Sequence, residues 1–546
     1  MVRAKMARFA PVLIFLVAFI AFAVGIADVP VIDRDEARFA QAARQMVETG
    51  DYIDIRFHDG PRHNKPIGIY WLQAGMLHLF ATDGIWVHRL VSVMAAALAV
   101  LATMWAGRPL VGQRAALWGG IVLASIFMVH AEARLAKTDA ALLLSIIVAM
   151  GALARVWTNG VVKPSVAAVF WTSLAVGFLI KGPIILMPVG GAVLWCSARA
   201  GGVRWMAGLR PVWGVAWALA LIVPWYAAII WRTEGGFLTD SLIGDLTNKI
   251  TTRDEADGTP PGTYLIAFWF TFWPWVILAP MAALWAWQNR RETAVAFLFG
   301  WIIPTWVIFE IVPTKLIHYT LPTYPAVALI CGAVLTDVIT GKIKFQGWPA
   351  HVGLTLAGVV GIAFIALALV APRAWGDEVH PLAIIGAISA GFMGIMGAVW
   401  LYRAQTIQAA IAIALSGVVM MGGLFALTLP SLSQLWIAPR LQQALVAHAC
   451  LRGPVTIVGF HEPSTIFTFG RDTRLDNVEG ALAYLAHTPN AAAWIPAADL
   501  AALGIDPTGG IADVTEVRGI NYSNGRHVIL RLVVSPGRPA PTAPCD

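Results

Sequence analysis

Charge is what this chain has least of. Only 13% of its 546 residues are Asp, Glu, Lys or Arg, while 58% are hydrophobic. A soluble domain carries about 25% charged residues, and so few charges cannot keep this much apolar surface dispersed in water. A cytosolic enzyme and a disordered chain are therefore excluded. Cysteine is also scarce. Four in this length exclude a disulfide scaffold. Cys196 and Cys331 fall inside apolar runs and read as small core residues. Cys450 and Cys545 bracket a polar C-terminal stretch, where they are either a pair or two unrelated thiols. That stretch, 430–546, contains no Lys at all.

What is abundant is long apolar sequence, with 24 Trp, a residue that favours membrane interfaces. A span needs about 20 apolar residues. Thirteen runs qualify: 8–27, 86–106, 114–131, 138–157, 165–180, 183–198, 211–231, 263–287, 293–311, 319–339, 350–371, 380–402 and 407–429. The first is read as an uncleaved helix. Alternate breaks between runs hold Arg108/Arg114, Arg155/Lys163, Arg199/Arg204/Arg210, Arg290/Arg291, Lys342/Lys344 and Arg403, and acidic residues are nearly absent from them. This bias predicts a cytoplasmic N-terminus and a periplasmic C-terminal segment in a bacterial inner membrane. The net charge of +7 is spent on topology and not on nucleic acid. The predicted organisation is a transmembrane unit, 1–429, with outer loops 28–85 and 232–262, followed by a small α/β domain, 430–546. In that domain Pro454–Phe460 and His527–Val534 read as strands, Asn524-Gly525 as a hairpin turn and Val478–His487 as a helix.

Ionisable residues converge on the outer face. In the first loop Asp33 is a plausible N-cap, Asp35 and Glu36 open a helix, and Gly50 stops it. Phe39, Ala42, Ala43, Met46 and Val47 give that helix an apolar stripe that predicts a position on the membrane surface. Lys65 follows in N-K-P-I-G-I-Y-W, where it either snorkels or binds a phosphate at headgroup depth. The break H-A-E-A-R-L-A-K-T-D-A, 130–140, puts His130, Glu132, Arg134, Lys137 and Asp139 between two apolar runs. Lys181-Gly182-Pro183 separates two further helices, and Lys315, His318 and Tyr319 follow the span that ends near Glu310. Lys249 and Arg253 lie in the long loop 232–262. Interfacial cations suit a lipid phosphate, and carboxylates suit a general base or the positioning of a sugar.

In order and sidedness, D-E-A-R-F-A, N-K-P-I-G-I-Y-W, A-R-L-A-K-T-D, I-K-G-P, T-P-P-G-T-Y-L and K-L-I-H-Y-T-L-P-T-Y-P resemble one family. It is that of the polyprenyl-phosphate-sugar-dependent glycosyltransferases with the GT-C fold. The pattern is nearest to the aminoarabinose lipid A transferases, with the protein O-mannosyltransferases further off. The resemblance implies a polytopic α-helical membrane protein of about thirteen transmembrane helices. It implies catalytic roles for Asp35, Glu36 and Asp139. It implies donor or substrate binding by Lys65, Arg38, Lys249, Arg253, Lys181, Lys315, His318 and Tyr319. The aminoarabinose branch often has Glu before the K-P Lys, where it helps hold a metal. Here the residue is Asn64, so a divalent metal is not assumed and the donor sugar is left open.

The implied reaction is inverting transfer of a hexosyl or pentosyl group from undecaprenyl phosphate to lipid A or another envelope glycan, by a monomer acting among membrane lipids. Lys65, Arg38 and Arg253 would stabilise the phosphate leaving group, and Asp35 would be the base for a hydroxyl acceptor. The alternatives are a protein O-glycosyltransferase of the same superfamily, a lipid-linked sugar transporter or flippase, and a non-catalytic assembly protein. A transporter would place charge at mid-span, where this sequence has little.

Overall fold

The computed structural model describes residues 2–244, 259–376, 378–449, 455–504 and 512–535. Its order is helical for the first three-quarters and mixed thereafter. The opening helices are α1 (Val2–Ala23), α2 (Asp35–Thr49), α3 (Gly68–Phe80), α4 (Ile85–Ser125), α5 (Phe127–Ala133), α6 (Asp139–Asn159), α7 (Pro164–Lys181), α8 (Leu186–Ala200) and α9 (Pro211–Arg232). Among the described residues nine helices are long and apolar enough to cross a membrane, and Phe9–Ala23 adds a shorter apolar one.

Of these long stretches, α4 holds the run 86–106 and most of 114–131, and Pro164–Ala200, made of α7 and α8, holds 165–180 and 183–198. The 41 residues of α4 would reach about 60 Å if straight, roughly twice the hydrocarbon thickness. Gly112 breaks it with φ 79°, and the limbs fold back on each other. Met104 lies so close to Gly120, and Ala116 to Gly107, that a side chain at either glycine would collide across the turn. Between α7 and α8 the break is Gly182, φ 68°, leading into the 3-10 turn Gly182–Ile185. The run 263–287 is not one helix. It divides into Thr263–Thr271, Trp275–Ile277 and Ala279–Gln288, because Pro274 and Pro280 each remove a backbone donor.

The first outer loop departs from its reading. The helix α2 ends at Gly50 in the left-handed region, φ 70°, as expected. Its start is different. Arg34 is the N-cap residue, at φ 65°, and the Asp33 carboxylate turns away to accept from the Ser464 N–H at 2.8 Å. Nor does α2 lie on a lipid surface. Phe39, Ala42, Ala43 and Met46 pack against Ile67, Tyr70, Trp225 and Phe237, while Ala37 and Ala40 on the other side pack on Val31 and Phe467. Alanines around the circumference let both neighbours approach, so the helix is sandwiched.

The first outer loop holds a short antiparallel hairpin, β1 (Arg56–Phe57) and β2 (Gly60–Pro61), and the C-terminal unit is a five-stranded sheet of β3 (Thr456–Val458), β4 (Arg474–Asp476), β5 (Ala492–Pro496), β6 (Ala512–Asn521) and β7 (Arg526–Val534). The order is β4-β3-β5-β7-β6, with β3 parallel to β4 and β5, and β7 antiparallel to β5 and β6. Alternation in β5 sends Ala492 and Trp494 to one face, against Leu441 and Leu445. Ala493 and Ile495 go to the other, against Ala481 and Leu485 of the helix Val478–His487. The β6–β7 hairpin closes at Asn521 and Arg526 around Asn524-Gly525, Gly525 having φ 73°. Cys196 and Cys331 are buried free thiols. Cys450 and Cys545 lie outside the described residues.

Candidate active site

A largely apolar cavity of about 670 Å³ opens between the ends of α6, α7 and α9 and the turn Ile317–Thr323. Its polar end carries Lys65, Asp139, Lys181, His318 and Tyr319, and its apolar length carries Leu142, Phe178, Met187, Ile222 and Phe309. Each polar side chain is there for a local reason. Asp139 is the first residue of α6, where the helix dipole favours an anion, and Lys181 is the last residue of α7, where it favours a cation. Lys65 precedes Pro66 and α3. Gly68 at the start of α3 sits against the Leu179 carbonyl, closer than a Cβ would allow. That approach brings Lys65 to the cavity that also holds Lys181. Lys65 Nζ donates to the Asn64 carbonyl at 2.9 Å.

Around Asp139 the charges interlock. Lys181 Nζ is 2.6 Å from Asp139 Oδ1, His318 Nε2 is 3.6 Å from the same oxygen, and Lys137 Nζ is 4.0 Å from Oδ2. Lys137 also donates to Glu132 Oε1 at 3.2 Å. Burial opposes the Lys137 charge, but Glu132 and Asp139, with help from Asp35, hold its proton well above the usual lysine range. The His318 and Tyr319 rings meet edge to face, centroids 5.2 Å apart. Lys137 and Glu132 are functional candidates that the sequence displayed in the break 130–140 but did not distinguish.

The acidic pair at the start of α2 separates. Asp35 is exposed, and its charge acts on both Lys137 and Arg38. Arg38 loses proton affinity chiefly by burial and then by the neighbouring Arg62 guanidinium, partly offset by Asp35. Glu36 is buried with both oxygens filled. It accepts from Arg89 Nε at 2.8 Å, Arg89 Nη2 at 2.7 Å, the Ile32 N–H at 2.9 Å and the Ala136 N–H at 2.8 Å. A carboxylate so satisfied has no lone pair facing a substrate, so the catalytic expectation for Glu36 is corrected to a tie between the first loop and the break that carries Lys137. Ser92 and Gln73 tie the same break by donating to the Leu135 and Ala136 carbonyls.

Asp35, Arg38 and Lys315 are not among the residues that line the cavity, and Lys315 donates to the Val312 carbonyl at 2.9 Å. Lys249 and Arg253 lie outside the described residues. His63, which stands next to Asn64 in the sequence and from which no zinc site is assumed, bridges Asp54 Oδ1 at 3.1 Å and Asp240 Oδ2 at 3.0 Å. It thereby holds the segment whose Leu238 and Ser241 complete the cavity wall. Beside Lys65 stands Asn64, and among the described residues no group of three or more His, Cys, Asp or Glu is placed to hold a metal ion.

Comparison with known proteins agrees with this picture. The family described as dolichyl-phosphate-mannose-protein mannosyltransferase matches residues 64–231. The chain is 26% identical over 404 residues to the undecaprenyl phosphate-alpha-4-amino-4-deoxy-L-arabinose arabinosyl transferase of Edwardsiella ictaluri, covering 71% of each protein. The crystal structure of ArnT from Cupriavidus metallidurans in the apo state superposes with a TM-score of 0.74 at 19% identity, over 96% of this chain and 97% of that one. The same protein bound to undecaprenyl phosphate gives 0.75 at 19%, over 95% and 97%. Motif order, apolar spans and fold converge: the chain is a membrane glycosyltransferase of the GT-C fold, similar to the aminoarabinose transferases.

Proposed function

We propose that this enzyme takes a sugar from undecaprenyl phosphate and transfers it to an envelope lipid, lipid A or a related glycolipid, on the periplasmic side of the inner membrane. The observation that carries the reading is the cavity itself, apolar along its length and cationic at one end. A polyisoprenoid tail fits the first part and a phosphate the second. The relative's name and the undecaprenyl phosphate bound to ArnT support that donor.

The chemistry follows from the charges. As the bond between the anomeric carbon and the phosphate oxygen breaks, negative charge grows on the phosphate. Lys65 and Lys181 stand at the polar end of the cavity to meet it, and such contacts are strong where water is sparse. Asp139 fixes Lys181 by their 2.6 Å contact. Asp35, exposed at the mouth of the first loop, is the base that takes the proton of a hydroxyl acceptor. A phosphate acceptor is already anionic, and Asp35 then only orients it. Direct attack inverts the anomeric centre.

Mass spectrometry of envelope lipids from cells with wild type, Asp139→Asn, Asp35→Asn and no protein tests the reading. A mass increase of one sugar on an envelope lipid, lost in the null and reduced about hundredfold or more in both variants, is expected. Identical lipid profiles in all four strains would overturn it and favour a protein or polysaccharide acceptor.

A further inference from the structure

Behind the cavity wall lies a second layer of charge with no part in the steps above. Glu132, on α5, is 4% exposed. Its Oε1 is 3.2 Å from Lys137 Nζ and 3.7 Å from His318 Nδ1, while its Oε2 is buried with no hydrogen-bond partner among the described residues. Neither Glu132 nor Lys137 is among the residues lining the cavity, yet both touch residues that are, Asp139 and His318. A buried carboxylate with an unsatisfied oxygen is costly, and a buried ion pair is weak evidence for stability. Its geometry gives it another use.

Lys137 and His318 each stand between the same two carboxylates. Lys137 is 3.2 Å from Glu132 and 4.0 Å from Asp139, and His318 is 3.7 Å and 3.6 Å from them. The four groups form a ring, and Lys181 joins it from the cavity side at Asp139 Oδ1. Without Glu132, the two lysines and the imidazole would all turn to Asp139. Lys137 would then move forward and draw Asp139 away from Lys181.

We infer that Glu132 is a positioning residue for the donor phosphate site: it holds Lys137 and His318 back, so that Asp139 stays engaged with Lys181. This rests on the proposed donor. It also assigns opposite electrostatic signs to two adjacent groups. Loss of Glu132 makes the region more positive and does not weaken an anion's binding, yet it misplaces Lys181 for the reaction. Loss of Lys137 leaves Glu132 uncompensated behind the phosphate and weakens binding.

The test uses the full chain in nanodiscs, with undecaprenyl phosphate as the binding probe and envelope-lipid product as the rate. Glu132→Gln is expected to bind undecaprenyl phosphate at least as tightly as wild type, while its product rate falls about tenfold or more. Lys137→Met is expected to bind about fivefold more weakly, and the double variant to return to within about twofold of wild type, because the two effects are coupled. Glu132→Asp, which keeps the charge, is expected to recover part of the rate. A wild-type rate in Glu132→Gln overturns the inference. So does weaker binding in Glu132→Gln that accompanies a lowered unfolding temperature, or a double variant whose binding losses simply add. If wild type binds undecaprenyl phosphate but modifies no envelope lipid, the acceptor reading fails while the binding pattern still decides the role of Glu132. If wild type does not bind it, the donor reading fails and the inference with it.

Discussion

Asp35 and Glu36 are chemically alike and adjacent, yet a step of one residue turns a side chain by about 100° around a helix. Asp35 therefore faces water and the Lys137 cluster, while Glu36 faces Arg89 at 1% exposure on both sides of the pair. Substitution should separate them. Asp35→Asn is expected to fold as wild type and lose product about hundredfold or more. Glu36→Gln leaves the buried Arg89 guanidinium without its counter-charge and is expected to cost about 3–5 kcal/mol of stability. Thermal unfolding in detergent, beside the lipid assay, reads both. A stable, inactive Glu36→Gln would return that residue to catalysis. The D-E-A-R pattern singled out both carboxylates but did not show that one is exposed and the other buried. Arg89, the partner that decides the matter, lies 53 positions away.

At the scale of elements the cavity wall depends on a histidine. His63 is 6% exposed and reaches a carboxylate with each ring nitrogen, and both nitrogens donate only in the charged ring. The Asp54 hydrogen bond chiefly raises the His63 affinity for its proton, against burial, and Asp240 adds to it. The same hydrogen bond lowers that of Asp54. The raised His63 value means that its contribution is complete below the ordinary 6.5 and is lost as pH rises through the folded-state value. The lowered Asp54 value means that its contribution is complete above the ordinary 3.8 and is lost as pH falls through the folded-state value. The bridge is thus firmest between these limits. Hydrogen exchange at Phe237 and Leu238 should quicken as pH rises past the His63 value, after correction for intrinsic rates. His63→Gln should abolish that extra dependence. Asp240 is 56% exposed, so the effect is modest, below about 1 kcal/mol. Equal pH dependence in wild type and variant would show that the bridge does not hold the wall. Local elements were legible, because their signals are local. Val478–His487 is the helix predicted, and Asn524-Gly525 turns the hairpin predicted. The bridge was not legible, because its partners come from loops 177 positions apart.

Across the whole molecule, apolar run length conveys the membrane part well, since lipid demands it. It cannot show where the C-terminal domain rests, since those contacts are polar and distant. The domain sits on the first outer loop. Arg44 stacks over Phe467 at 4.2 Å and donates to its carbonyl at 2.8 Å, and Arg34 donates to the Ser523 carbonyl at 2.9 Å. At the centre of this contact Asp33 accepts from the Ser464 N–H, 431 positions on, and donates its own N–H to Tyr522 at 2.7 Å. Burial pushes the Asp33 carboxyl up to about 6, with Glu462 adding to the rise and the Ser464 contacts opposing it. A carboxyl whose folded-state value is raised favours the docked form when protonated. Its contribution is therefore complete below the ordinary 3.8 and is lost as pH rises through about 6. Docking should tighten on acidification across that interval. Asp33→Asn keeps an acceptor for Ser464 and removes the charge, so its docking should be independent of pH there and firmer than wild type at pH 7. Asp33→Ala strands the Ser464 N–H and should loosen docking by about 1–3 kcal/mol at every pH. Limited proteolysis of the full chain between α1 and α2 and at the C-terminal domain, at pH 5 and pH 8, reads this directly. If wild type and Asp33→Asn are cut at the same rate at both pH values, the Asp33 carboxyl does not govern how the domain is held.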